Sequence, residues 1–312
     1  MEISNQTNIP GFVLRVFGGI SEFHPILFSI LLLIFLITLT GNLLVIIIIC
    51  MDRHLHLPMY FFIGSLSFME VCGISSVMFN FLALLSTNNT HISKVGCFLQ
   101  SYIYYFFFSS DFLILGIMSF DRYVAVCNPL KYNSIMRNSV CIKLVIGCFI
   151  TSFLCLFYPT LMIFNLPFCG HVLDHFFCET AAMVNLICVD TTLIKLTSLI
   201  TSIFILIGSL TLTVTSYIII VSTILRLSSD TGRQKTFSTC LSHLSMVGIV
   251  FGSAIFILIK SPRQYSTQTD QVVNLVSTVM SPLLNPFVYT LRNQKVKDYI
   301  RGAINYGRMV QK

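Results

Sequence analysis

The feature that most limits how this chain can fold is a series of seven long apolar stretches. A helix needs about 20 apolar residues to cross the hydrocarbon core of a bilayer. Only helices satisfy their own backbone polar groups over such continuous runs, whereas membrane β-barrel strands alternate over short segments. The sequence therefore predicts an all-α membrane protein with a bundle of seven transmembrane helices. The stretches are Pro25–Cys50, Met59–Leu85, Val95–Val126, Val140–Leu166, Thr192–Leu225, Phe237–Ile259 and Val272–Leu291.

The composition supports a surface that faces lipid. Charged residues make up 10% of the 312 and hydrophobic residues 55%, whereas a soluble domain carries about 25% charged residues. This argues against a water-soluble enzyme. Because the connections are short, we expect one domain over residues 1–312, with residues 1–24 outside, 25–291 as the bundle and 292–312 on the inner side.

Lysine and arginine predict the orientation in the membrane. With the N-terminus outside, fourteen of them fall on the inner side and five on the outer side, and cytoplasmic segments carry the positive excess. The net charge of +7 is thus explained by basic residues that fix the membrane orientation and contact anionic lipid of the inner leaflet. It does not indicate nucleic-acid binding. Residues 293–309 mix basic and apolar positions in steps of three and four, which predicts an amphipathic helix on the inner leaflet. Sequons at Asn5 and Asn88 are candidate glycosylation sites.

Four of the eleven cysteines, Cys97, Cys169, Cys178 and Cys188, fall in outer segments, where disulfides persist. Four cysteines allow three pairings, and this spacing does not separate them.

Several polar side chains are predicted to lie inside the bundle. Glu70 and Asp111 lie about 16–18 Å from the inner surface, and Asn42 and Asn285 about 10–12 Å, at 1.5 Å per helical residue. Two carboxylates in a low dielectric cannot both stay charged without a partner. Either one is protonated or a cation such as sodium lies between them. A hydrogen-bonded cluster that fixes helix register is an equally good interpretation.

Other features mark the inner end and the last stretch. Asp121 precedes Arg122 and could hold its guanidinium, although an interfacial snorkelling arginine explains the pair as well. Pro282 and Pro286 each remove a backbone donor and predict a kinked or loosened helix.

Six motifs occur in order on the predicted helices. They are Gly41-Asn42, Leu55–Phe61, Met118–Tyr132, Ser216-Tyr217, Lys235–Leu244 and Pro282–Asn293. Together they resemble the pattern of vertebrate olfactory receptors, within the rhodopsin-like G-protein-coupled receptors, over essentially the whole chain. Two departures occur. Ser119 and Phe120 stand where the family usually has Ala and Tyr, and Phe251 replaces a tyrosine that is implied to sense ligand.

The resemblance implies a receptor for a small odorant at the plasma membrane, which activates a stimulatory G protein and raises cyclic AMP. It implies the disulfides Cys97–Cys178 and Cys169–Cys188, and it places Glu70 and Asp111 at the family's acidic positions. The residues implied for activation and G-protein coupling are Asp121, Arg122, Tyr123, Tyr217, Lys235, His243, Asn285, Pro286 and Tyr289. The expected mechanism is a population shift that releases Arg122, driven by a ligand that binds the active arrangement better.

The resemblance also implies that the odorant lies in the outer half of the bundle, beneath the second outer loop. The implied lining residues are Tyr104, Tyr105, Phe108, Ser109, Thr201, Ser202, Ile205, Phe251, Ile255, Leu258, Leu275 and Thr278. Such a lining suits a small, mostly apolar, uncharged volatile. Amine receptors of this superfamily carry an Asp where Tyr104 stands, so a cationic amine is not expected. Glu179 in the loop is the one other acid considered for the cavity.

Other functions fit the sequence less well. It contains no Gly-rich phosphate loop and no nucleophile elbow, so catalysis is not predicted. His171 and His175 flank Asp174 and could form a weak zinc or copper site, but a solvated polar loop is favoured and no metal site is predicted. A transporter or channel would show repeat symmetry or several ionisable groups along a path, and the sequence offers one mid-membrane cluster.

Overall fold

Seven long helices form most of the part of the chain that the structure describes. The computed structural model describes residues 10–17, 23–87, 90–226, 230–259 and 267–291, with side chains at these positions except 230–239, 242, 258–259, 267–268, 270 and 289–291. The long helices are α1 (His24–Met51), α2 (Pro58–Thr87), α3 (Lys94–Cys127), α4 (Asn138–Phe164), α5 (Thr192–Leu225), α6 (Asp230–Ile259) and α7 (Thr267–Leu291). Short helices at Tyr132–Ile135 and Thr180–Val184, and single turns at Arg53–Leu55 and Pro129–Lys131, lie in the connections.

The helices follow the predicted apolar stretches closely. Six stretches lie wholly inside one helix, and Val140–Leu166 runs two residues past the end of α4 at Phe164. Within the described residues, α1 to α5 are long and apolar enough to cross a membrane, and α6 contains a shorter apolar segment, His243–Ile257. Membrane spans at α6 and α7 stay a prediction. The sequons and the amphipathic segment 293–309 lie outside the described residues.

The outward faces of the helices are apolar. Leu33 on α1, Leu154 on α4 and Phe204 on α5 are each 60–64% exposed. Contiguous apolar surface of this kind marks a membrane or interaction face. Inside the bundle, α3 contacts α2, α4, α5 and α6, while α1 packs against α2 and α7. Helix α3 is therefore the element against which most functional side chains are positioned.

A small three-stranded sheet covers one end of the bundle, which we call the outer end. Strand β1 (Gly11–Leu14) lies between β2 (His91–Ser93) and β3 (Val172–Leu173), antiparallel to the former and parallel to the latter. Alternate residues of β1, Phe12 and Leu14, are buried in the core. A Cβ on Gly11 would lie 2.3 Å from the Ile92 carbonyl oxygen, so only glycine permits this close pairing. The sequence analysis assigned no element to this segment.

Two disulfides hold the outer end together. The second outer loop is the connection between α4 and α5, residues 165–191. Cys97 on α3 is bonded to Cys178 in this loop, and Cys169 is bonded to Cys188 within it. These are the pairs that the resemblance implied. The first bond fixes the loop over the end of α3, where the sequence analysis placed the ligand.

Candidate ligand cavity and inner-face network

A cavity of about 200 Å³ lies beneath the second outer loop. Helices α3, α5, α6 and α7 supply most of its wall, with one residue from α4 and two from the loop. Eight of the twelve residues implied as ligand contacts line it: Tyr104, Tyr105, Phe108, Ser109, Thr201, Ser202, Ile205 and Thr278. The structure thus brings together the implied positions of α3 and α5 and one from α7.

Three implied contacts, Phe251, Ile255 and Leu275, do not line this cavity, and their contact with ligand stays a prediction. The Phe251 ring packs against Phe112, with centroids 5.1 Å apart, so it lies behind a lining residue. Ile255 packs into the inner hydrophobic core and Leu275 into the outer one. One helical residue turns a side chain by about 100°, so an error of one position moves it off the cavity. The side chain of Leu258 lies outside the described set.

Besides Glu179, eight further lining residues were not among the implied contacts. They are Phe112, Leu156, Phe177, Leu206, Ala254, Ile257, Asn274 and Ser277. Helical spacing gave a signal for some of them, since Phe112 follows Phe108 by one turn and Asn274 precedes Thr278 by one turn. Phe177 adjoins Cys178 and is carried into the cavity by the disulfide. Leu156 is the one lining residue from α4, and no implied contact lies near it in the sequence.

Tyr104 is a lining residue with contacts to three parts of the fold. Its hydroxyl shares a hydrogen bond of 3.0 Å with Thr278 Oγ1 on α7. Its ring stacks on Phe108 and contacts Phe177 edge-on. Because its ring contacts Phe177 and its hydroxyl bonds to Thr278, Tyr104 links α3, α7 and the loop.

Glu179 also lines the cavity, from the loop side. Asn274 Nδ2 donates to its Oε1 at 3.3 Å, and His175 Nε2 lies 3.8 Å from its Oε2. His175 is buried, stacked on Phe176, and 3.0 Å from Asn274 Nδ2. Among the residues with described coordinates, no cluster of three or more His, Cys, Asp or Glu side chains could hold a metal ion.

A second, smaller cavity lies deeper in the bundle and contains both predicted carboxylates. Glu70 and Asp111 line it, together with Tyr104 and Thr278, which it shares with the larger cavity. Asn285 Nδ2 donates to Glu70 Oε2 at 2.6 Å, and Ser281 Oγ donates to Oε1 at 3.5 Å. The resemblance grouped Asn285 with the activation positions, and the structure places it in this deep cluster.

Acceptor atoms are left over around this small cavity. Asp111 Oδ1, Asn42 Oδ1 and Asn285 Oδ1 are buried and have no hydrogen-bond partner among the described residues. Buried acceptors without a partner are costly. Oxygens of this kind are the ligands that a small hard cation or an ordered water binds.

The Gly41-Asn42 motif is explained by its contact with α7. Pro286 has no backbone N–H, so the Pro282 carbonyl lacks its usual helical donor. Asn42 Nδ2 supplies that donor at 2.9 Å. A Cβ on Gly41 would lie 2.9 Å from Pro286 Cγ, so glycine is needed for the proline ring to approach. Helix α7 continues through both prolines.

At the inner end, Asp121 holds two neighbours. The Arg122 guanidinium donates to Asp121 Oδ2 through Nε (3.0 Å) and through Nη2, and Tyr132 Oη donates to Oδ1 at 2.8 Å. Burial raises the pKa of Tyr132, and the adjacent Asp121 carboxylate raises it further. Tyr132 therefore remains a neutral donor at physiological pH, and Arg122 is held close to α3.

A second contact at the inner end joins α5 to α6. The Tyr217 hydroxyl and His243 Nδ1 are 2.9 Å apart, and the two rings are stacked. Both side chains are buried. Tyr123 packs against the same hydrophobic cluster as Tyr217. The Lys235 and Tyr289 side chains lie outside the described set.

Comparison with known proteins identifies the family. A family model described as olfactory receptor matches residues 31–305. The chain belongs to the olfactory receptor family. This olfactory receptor is 39% identical to human olfactory receptor 6T1 over 310 residues, which cover 99% of the chain and 96% of the relative. It is 40% identical to human olfactory receptor 10Z1 over 310 residues, 99% of each chain. Mouse olfactory receptor 6E1 is 38% identical over 305 residues, 97% of each chain.

Membership confirms part of the sequence analysis. This olfactory receptor is a multi-pass membrane protein of the G-protein-coupled receptor class, and it is not an enzyme. One departure from the family pattern now has a structural account. The Ser119 hydroxyl donates to Thr213 Oγ1 at 3.1 Å, which adds a polar tie between α3 and α5.

Proposed function

We propose that a small odorant binds in the 200 Å³ cavity and shifts the receptor to a state that activates a stimulatory G protein and raises cyclic AMP. The observation that carries the proposal is the cavity itself, which lies on α3 and beneath a loop fixed by the Cys97–Cys178 bond. Its volume is below the range of about 300–1,000 Å³ typical of drug-sized ligands. A volatile of few atoms matches that size.

The proposed mechanism is a change in the population of two arrangements. A ligand that binds one arrangement better moves the equilibrium by its difference in affinity. In the described arrangement Asp121 holds Arg122, and the Tyr217–His243 contact holds α5 to α6. We infer that activation separates both pairs and opens the inner end to the G protein.

We propose that the receptor lies in the plasma membrane with its N-terminus outside and its C-terminus in the cytoplasm. Strand β1 pairs with β3, which belongs to the loop that carries both disulfides. Disulfides persist on the oxidising side of the membrane, so the N-terminal strand belongs on that side. The lysine and arginine distribution supports the same orientation, with glycosylation at Asn5, and at Asn88 if it is accessible.

We further propose that a sodium ion binds between Glu70 and Asp111. The unpaired oxygens of Asp111, Asn42 and Asn285 support this over a cluster that is satisfied by its own hydrogen bonds. Replacing Glu70 by Gln should remove any sodium dependence of the agonist response. Unchanged sensitivity to sodium and pH in that variant would reject the cation site.

The test of the proposed function is a cyclic AMP reporter assay on the full-length receptor with a broad panel of odorants. We expect a concentration-dependent rise with at least one small odorant, lost on replacing Arg122 by Ala at equal surface level. Arg137→Ala is the matched control, because Arg137 also lies at the inner end, at the start of α4. A full response of the Arg122 variant would contradict the mechanism.

A further inference from the structure

We propose that the ligand of this cavity presents a hydrogen-bond donor, a hydroxyl or an ammonium group, to the Glu179 carboxylate, and that Glu179 selects for such ligands. The inference rests on the proposed function and specifies its ligand class. It makes the expectation of a small, mostly apolar, uncharged volatile more specific and reopens the question of charge.

The backbone on both sides of Glu179 is fixed to α3. The preceding residue, Cys178, is bonded to Cys97, and its N–H donates to Gln100 Oε1 at 3.2 Å. The following residue, Thr180, shares a hydrogen bond of 3.1 Å with Ser101. A side chain on such a segment points in a defined direction, which is what selection between ligands requires.

The Glu179 side chain is directed at the cavity rather than at its own helix. Glu179 precedes the short helix Thr180–Val184 but makes no side-chain capping bond to it. It lines the cavity instead, with 21% of its side chain exposed. Asn274, which donates to its Oε1, lines the cavity too. The carboxylate is thus at the cavity wall and oriented by α7.

A carboxylate at this wall favours one kind of ligand group. An ionised carboxylate only accepts hydrogen bonds and offers about four acceptor positions, so a ligand donor can bind beside the donors it already holds. Bonds to an ionised acceptor are roughly twice as strong as neutral ones. A ligand carboxylate would be repelled, and an ether or ester would bring no donor.

The opposite part of the cavity is apolar. Phe112, Leu206 and Ala254 lie further along their helices toward the inner end than the other lining residues of those helices. The cavity therefore has an accepting end at the loop and an apolar end in the bundle. A ligand that matches it has one donor group and a short hydrocarbon part.

The position of Glu179 alters the expectation for amines. The sequence analysis disfavoured cationic ligands because Tyr104 stands where amine receptors have an acid. Glu179 supplies an acid from the loop, near the same tyrosine and its neighbour Tyr105. A protonated amine and an alcohol share the required donor, and the experiment separates them.

The test uses the full-length receptor and the cyclic AMP reporter. Every scaffold that activates in the broad panel is compared as its alcohol, methyl ether, carboxylic acid and primary amine, with the phenylethyl and hexyl series always included. We expect the alcohol or the amine to be at least about tenfold more potent than the ether, and the acid to be inactive, since a charge-assisted hydrogen bond is at stake.

Variants of Glu179 assign the effect to that side chain. Glu179→Ala should abolish the preference for the donor compounds over the ether. Glu179→Gln keeps the size and an acceptor oxygen, so it should lose an ammonium ligand by tenfold or more and retain most of the response to a hydroxyl ligand. The control is Asp190→Asn, because Asp190 is an exposed acid of the same loop that bonds to Thr192 outside the cavity.

The outcomes separate the two proposals. If no compound raises cyclic AMP at normal surface level, the proposed function fails, and this inference fails with it. If odorants activate but ethers equal alcohols and amines, or the preference survives in Glu179→Ala, the inference is wrong and the receptor function stands. Loss of surface expression in Glu179→Ala leaves Glu179→Gln and the wild-type ligand series to decide.

Discussion

Tyr104 shows how one residue connects two sites. It lines the larger cavity and also the smaller cavity that contains Glu70 and Asp111. Its hydroxyl bond to Thr278 lies between the two. A ligand that displaces this bond changes the environment of the buried carboxylates without touching them. The residue is therefore a physical link between ligand binding and the deep polar cluster.

The Tyr104–Thr278 bond gives a prediction about stability. Tyr104→Phe and Thr278→Val should each destabilise the receptor by about 1 kcal/mol, and the double variant by little more than either, because both remove the same buried bond. Thermal unfolding of the purified receptor measures this cycle. Tyr102→Phe is the matched control, since that hydroxyl is exposed and 3.4 Å from the Phe153 carbonyl. Additive losses would contradict the assignment.

The sequence could predict the candidate site in part, for reasons visible in single residues. Tyr104, Phe108 and Ser109 are positions that the family resemblance implies, and all three line the cavity on one face of α3. Phe251, which the resemblance also implies, does not line the cavity and packs against the lining residue Phe112. Periodicity defines a helix face to within about one residue, and it contains no information on which neighbour covers a side chain.

At the scale of elements, the outer end depends on one buried glutamine. Gln271 on α7 accepts from the Phe17 N–H at 2.8 Å and donates to the carbonyls of Arg15 and Asp174. It therefore joins the N-terminal segment, the second outer loop and α7. The ion pair of Arg15 with Asp174 lies beside it but is exposed, with 61% of the arginine side chain accessible.

Gln271 should contribute more to the stability of the outer end than the exposed Arg15–Asp174 ion pair. Gln271→Ala leaves the buried Phe17 N–H without a partner and should destabilise the outer end by about 1–3 kcal/mol. Arg15→Gln should have a small effect, because exposed ion pairs are screened by water and salt. Limited proteolysis of the N-terminal segment and thermal unfolding compare the two. An Arg15 variant as damaging as Gln271→Ala would show that the pair is the main tie.

Strand β1 gives a further prediction. Gly11→Ala places a methyl group 2.3 Å from the Ile92 carbonyl oxygen in the unrelaxed backbone, so β1 and β2 must separate. We expect a loss of about 1–3 kcal/mol, measured by thermal unfolding, and faster cleavage of the N-terminal segment. Gly147→Ala is the control, because no atom outside its own helix lies within 4 Å of that position. Equal stability of the two variants would count against the strand pairing.

The elements differed in how far the sequence predicted them. The long helices were found because twenty or more apolar residues leave no alternative in lipid. The sheet was missed because its strands have two to four residues and come from three distant segments. Pairing of that kind depends on what the disulfides bring together, and Cys97–Cys178 could not be distinguished from other pairings by spacing.

At the scale of the whole molecule, two disulfides enclose very different lengths of chain. Cys97 and Cys178 are 81 residues apart, whereas Cys169 and Cys188 are 19 apart. Loop entropy alone makes the longer bridge more stabilising by about 1.3 kcal/mol. The longer bridge also holds Glu179 at the cavity.

This difference is testable with paired serine variants. Replacing Cys97 and Cys178 should lower thermal stability more than replacing Cys169 and Cys188, and it should also remove the odorant response. The shorter pair serves as the control for losing a disulfide as such. A reverse order of stability, measured at equal purity, would show that local packing in the loop outweighs chain entropy.

The hydrogen bonds of Gln271 to the N-terminal segment have a consequence for biosynthesis. The Phe17 N–H meets Gln271 across a sequence separation of 254 residues. A ribosome therefore delivers Phe17 long before its acceptor on α7 exists. The N-terminal segment is tied to α7 only after the last helix has been inserted, so a truncated or stalled chain in the endoplasmic reticulum exposes an unpaired Phe17 N–H that quality control could detect.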